Sequence, residues 1–87
     1  MQVVEIGERI KVRADFTPAG RIIPLMFRRG RHDPLRIRRI NATWEERGHG
    51  SRTVYFSVSV ENSDDVFHLR YREEDRTWWL DSLAMDG

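Results

Sequence analysis

Histidines are the first residues to test for chemistry, and their placement argues against a metal or catalytic centre. His32, His49 and His68 fall in separate segments with no H-x-H or H-x-x-x-H spacing, so a metal site would need all three to converge by folding. His32-Asp33 before Pro34 reads as a loop turn in which Asp33 accepts backbone hydrogen bonds, and Gly48-His49-Gly50 as a flexible connection. Gly30 and the two later glycines form no phosphate-cradling pattern that leads into a helix. Cysteine is absent, which removes disulfides, thiolate ligands and a cysteine nucleophile.

The arginines are more suggestive. Net charge is +1, yet residues 9–39 carry a balance of +8 and residues 40–87 one of −5. Within the basic half, Arg28, Arg29, Arg31, Arg36, Arg38 and Arg39 fall on one loop and the segment after it. Strand geometry would gather them within about 20 Å. Such a patch attracts phosphates, and curved β surfaces are a common platform for single-stranded nucleic acid. The same residues would equally serve as edge-strand charges or as partners for an acidic surface.

Period-two alternation dominates the elements that must position these groups, and no apolar stripe of helical period occurs. Six strands are predicted. The first runs from about Glu8 to Phe16, with Ile10, Val12, Ala14 and Phe16 on one face. A turn at Thr17-Pro18-Ala19-Gly20 leads into the second, about Arg21 to Arg28. Placing Phe16 opposite Arg21 sets Ala14 against Ile23, Val12 against Leu25 and Ile10 against Phe27. The third strand, about Leu35 to Glu45, has inward positions at Leu35, Ile37, Ile40, Ala42 and Trp44. Its change of phase predicts a β-bulge at Arg38-Arg39 that turns both arginines outward.

The fourth strand, about Arg52 to Glu61, presents Val54, Phe56, Val58 and Val60 to a core. Folding about Asn62–Asp65 pairs Val60 with Phe67, Val58 with Leu69 and Phe56 with Tyr71. Folding about Glu73–Arg76 pairs Tyr71 with Trp78 and Leu69 with Leu80. The expected fold is an all-β antiparallel meander of about six strands, curled into a small barrel or strongly bent half-barrel, with no long helix. Residues 1–87 are expected to form a single small domain, since a chain this short cannot be divided into two cores.

These registers place further residues on the outer face. His68 falls between Ser59 and Asp81, a row across a flat sheet with no oxyanion donors in view, which reads as a cross-strand ion pair and not a hydrolase triad. Arg70 falls beside Trp79, which would lay a guanidinium over an indole. With Tyr55 they would make a cationic and aromatic platform for a base or another protein. Ile22, Pro24 and Met26 are predicted on the outer side of the second strand, a stripe to be covered by Val3, Val4 and Ile6 of the same chain or by a second copy in a homodimer.

The chain resembles a bacterial family of short uncharacterised β-rich proteins over roughly residues 20–83. The likeness lies in Arg21-Ile22-Ile23-Pro24-Leu25, Phe27, Gly30-Arg31, Ile40 and Trp44, then Tyr55-Phe56-Ser57-Val58, Phe67-His68-Leu69-Arg70-Tyr71 and Trp78-Trp79-Leu80. Leu35 departs from it, standing where the family pattern has tyrosine or valine. The resemblance implies a β-rich fold and no established activity. Because relatives accompany lesion-bypass DNA synthesis genes, it also implies a nucleic-acid setting.

The sequence therefore points to a non-enzymatic binding module of the cytoplasm, with no cofactor, metal, membrane or small-molecule substrate expected. Its candidate partner is the DNA or RNA backbone, gripped without sequence preference by the six arginines together with Arg70 and Trp79. The alternative is a protein-interaction or self-associating module with no nucleic-acid role.

Overall fold

The computed structural model describes residues 2–85. Six strands follow one another: β1 (Gln2–Phe16), β2 (Ile22–Arg28), β3 (Leu35–Gly48), β4 (Ser51–Val60), β5 (Val66–Arg72) and β6 (Thr77–Met85). Each pairs antiparallel with its neighbour, and β6 returns to β1, so the meander closes into a barrel. No helix is present among the described residues, and none could cross a membrane.

The strength of the barrel lies in β4, β5 and β6. All nine of Val54, Phe56, Val58, Val60, Phe67, Leu69, Tyr71, Trp78 and Leu80 are buried, as alternation requires when one face of each strand meets the core. Phe56 stacks on Trp78 at 5.7 Å, Tyr71 tilts against the same indole at 4.8 Å, and Phe27 meets Phe67 edge-on at 5.2 Å. Complete burial of such side chains stabilises by about 1.5–3 kcal/mol each. The β5–β6 pairs Tyr71↔Trp78 and Leu69↔Leu80 are those expected from the sequence. Between β4 and β5 the register is displaced by two residues, giving Val58↔Phe67, Phe56↔Leu69 and Val54↔Tyr71. A slip of two preserves every face, so the core is unchanged.

β1 begins well before Glu8, and its two parts serve different neighbours. Residues from Gln2 to Ile10 pair with β6, whereas Lys11 to Phe16 pair with β2. An irregularity between Glu5 and Glu8, with Gly7 at φ +65°, bends the strand between these roles. Val3 and Val4 thus lie against Ala84 and Leu83 instead of covering β2.

The first hairpin corrects a second expectation. Its turn forms as predicted, with the Gly20 amide donating to the Thr17 carbonyl at 2.9 Å, but Phe16 pairs with Ile22 and not with Arg21. Ile22 and Pro24 consequently point into the core and are buried. A register shift then leaves Leu25 as an extra, exposed residue, after which Met26 faces out and Phe27 faces in. Only Met26 of the expected outer stripe lies outside the core, half-buried.

On β3 the predicted bulge occurs between Ile37 and Arg39, and a second one follows between Ile40 and Ala42. The second bulge reverses the phase again. Thr43 pairs with the inward Phe56, and Trp44 pairs with the outward Tyr55, so Trp44 is 49% exposed and is not a core residue.

Candidate functional site

Four of the six arginines expected to form a patch have partners of their own. Arg29 is held by Glu8 at 2.8 Å and Arg36 by Glu61 at 3.4 Å. Arg28 donates to the Gly30 carbonyl at 3.1 Å, and Arg39 to Asn41 Oδ1 at 2.8 Å. Arg31 and Arg38 are exposed with no carboxylate partner among the described residues. Arg38 and Arg39 lie at the first β3 bulge, whereas Arg28 ends β2 and Arg29 and Arg31 lie in the loop after it.

Strand pairing instead recruits cations from β1. Arg9, Lys11 and Arg13 alternate on its outward side, with Ile10, Val12 and Ala14 turned inward. Lys11 pairs directly with Arg28, and Arg13 shares a row with Met26 and Arg36. Like charges directly opposed destabilise a sheet. Yet Arg9, Lys11, Arg13 and Arg28 have no carboxylate partner among the described residues. Two shallow depressions run between them, one of about 360 Å³ against Arg9, Lys11, Arg28 and Gly30, the other of about 240 Å³ against Lys11, Arg13, Met26, Arg28 and Pro34. The groove is open, apolar at its floor and positive along both walls, the form of site that collects anionic backbone.

A second feature joins this groove at Arg9. Strand registers place Trp44, Tyr55, Arg70, Trp79 and Arg9 in one continuous row over β3, β4, β5, β6 and β1. Four strand spacings make this row about 19 Å along the curved surface. Trp44 and Tyr55 stack at 5.5 Å with planes 10° apart, and the Arg70 guanidinium lies 5.3 Å from the Trp79 ring. Arg70 is aimed by Asp81, 3.1 and 3.2 Å from its Nε. Trp79 is fixed at its other end, its indole N–H donating to Thr77 Oγ1 at 3.0 Å while that hydroxyl donates to Asp75 at 2.6 Å. The same hydrogen bond from Thr77 holds the Asp75 carboxyl below its ordinary range. Burial, with the nearby Glu46 carboxylate second, pushes the Tyr55 phenol above its ordinary value and keeps it a neutral donor.

His68 lies between Ser57 and Ser82 and not between Ser59 and Asp81. Asp81 is the extra residue at a β6 bulge, and it serves Arg70. His68 Nδ1 is 2.9 Å from Ser82 Oγ, a serine where a relay would need a carboxylate.

The third feature is a gap in the barrel wall. β2 and β3 pair only at Met26↔Arg36 and Phe27↔Leu35, and beyond them the two strands diverge around a cleft of about 510 Å³. Ile22, Ile23, Ile40, Trp44, Val54 and Phe56 line it, with Arg21, Glu45 and Arg52 around them.

No protein-family model, curated protein or solved structure matches this chain.

Proposed function

We propose that this chain is a non-enzymatic cytoplasmic module that binds single-stranded DNA or RNA through its backbone, without sequence preference. The observation that carries the reading is the continuity between Arg9, Lys11, Arg13 and Arg28, which lack carboxylate partners among the described residues, and the stacked row that begins at the Arg9–Trp79 pair. Phosphates would follow the groove, and bases would lie on Trp79 and on the exposed Trp44–Tyr55 stack, since stacking accepts any base. Phosphate contacts fix position without reading sequence.

Titration of labelled single strands against salt tests the proposal. Four phosphate contacts give a slope of log affinity against log salt near −3, at about 0.7 for each phosphate neutralised. Trp79→Ala should weaken binding by about 1–3 kcal/mol where a base stacks on the indole, and barely at all for a purely electrostatic surface. Absence of binding to DNA and RNA at about 20 mM salt, where screening is weak, would leave a protein-interaction role in its place.

A further inference from the structure

We infer that the open edge of β3 is an interface for a second copy of this chain, paired antiparallel about a two-fold axis at Thr43. From Ile37 onward, β3 has no strand partner on its β2 side among the described residues. This edge is long, and it contains no proline between Leu35 and Gly48. Residues 41–48 are all exposed. An edge of this length recruits another strand unless its side chains prevent pairing.

The side chains on this edge favour a copy of themselves. The run Arg38-Arg39-Ile40-Asn41-Ala42-Thr43-Trp44-Glu45-Glu46 has two cations at one end and two carboxylates at the other. Antiparallel pairing with an identical run therefore sets the arginines of each copy beside the carboxylates of the other, twice per dimer. A parallel arrangement would set like charge on like.

The bulges determine which register fits. Arg39, Ala42, Trp44 and Glu46 face outward, paired with Ser59, Ser57, Tyr55 and Thr53, with Trp44 also bordering the cleft, whereas Ile40, Thr43 and Glu45 turn toward it. With Thr43 on the axis and the bulge residues Arg38 and Asn41 passed over, Arg39 meets the second copy's Glu46 and Trp44 meets the second copy's Ala42. All four are on the outer face. The methyl side chain leaves room for the indole. Glu46 can take the contact, since among the described residues its side chain accepts a hydrogen bond only from the Tyr55 hydroxyl, at 3.3 Å. Glu45, on the cleft side, is already neutralised by Arg47 and Arg52, each at 3.3 Å. The interface is self-complementary, as a closed two-fold assembly requires.

Sedimentation of the full chain, with charge exchange, tests this. The wild type should sediment as a dimer at high micromolar concentration. Arg39→Glu alone and Glu46→Arg alone should each raise the dimer dissociation constant by more than about a hundredfold, because like charges then meet twice. An equimolar mixture of the two variants should recover the dimer. The chain has no cysteine, so Thr43→Cys should give a covalent dimer on mild oxidation, its two Cα atoms about 4.5–5.5 Å apart across the axis. Ala19→Cys, in the β1–β2 turn, should not. A wild type that stays monomeric overturns the proposal, as does a dimer that both charge variants leave intact and Thr43→Cys fails to cross-link.

Discussion

Glu8 removes one arginine from the set of unpaired cations. The Arg29 guanidinium donates to this carboxylate at 2.8 Å and holds its pKa below the ordinary range. A depressed folded-state pKa contributes stability above the unfolded value, and that contribution disappears as pH falls through the folded one. Both side chains are about a third exposed, so the pair is worth no more than about 1 kcal/mol. Glu8→Gln should therefore lower the neutral-pH melt slightly and flatten the acid limb of stability below about pH 4, as a series of thermal melts will show. It should also strengthen polyanion binding, since Arg29 is released beside Arg28. At this scale the sequence was informative where pairing ran unbroken. The Arg70–Trp79 contact follows from the Tyr71–Trp78 pair one residue away. The neighbours of His68 do not, because the two-residue displacement between β4 and β5 brings Ser57 opposite it and the extra residue Asp81 brings Ser82.

Bulges explain most of what alternation misplaces among the elements. Those in β2, β3 and β6 leave intervals of three between inward residues: Pro24 to Phe27, Ile37 to Ile40, Ile40 to Thr43 and Leu80 to Leu83. Apolar side chains at both ends make such an interval readable, as at Ile37 and Ile40. Where one end is Thr43, or where a fully apolar run such as Ile22–Phe27 offers two phases, the interval is hidden. The consequence is testable in β2. Ile22→Lys places an unpaired charge in the core and should unfold the domain or cost several kcal/mol. Leu25→Lys, at a residue 39% exposed, should leave the stability measured by denaturant titration within about 0.5 kcal/mol of wild type. Phe56→Ala, in the unbroken part of the sheet, should cost about 3–5 kcal/mol.

Charge is distributed over the whole molecule in a way that chain order only partly conveys. The acidic half neutralises four of its five arginines, with Arg47 bound by Glu45, Arg52 by Glu45 and Glu73, Arg70 by Asp81 and Arg72 by Glu74 and Asp75. The cations left over lie mainly on β1, the β2–β3 loop and the start of β3. Grouping arginines by proximity along the chain selects Arg28–Arg39 and overlooks Arg9, Lys11 and Arg13, which reach Arg28 only through antiparallel pairing. Alternation already turns those three outward. The hairpin register expected from the sequence sets Arg9 across from Arg28, and the observed one sets Lys11 there. The two basic regions can be separated by substitution with a neutral residue, which removes charge without adding repulsion. If phosphates follow the β1–β2 groove, Arg9→Gln with Lys11→Gln should reduce the salt slope by about 1.4, at roughly 0.7 for each phosphate no longer neutralised. Arg38→Gln with Arg39→Gln should leave that slope unchanged, since those side chains lie at the β3 edge, and should weaken self-association instead. The opposite pattern, a slope flattened by the β3 pair and untouched by the β1 pair, would move the phosphate path onto β3 and leave the groove cations without a ligand.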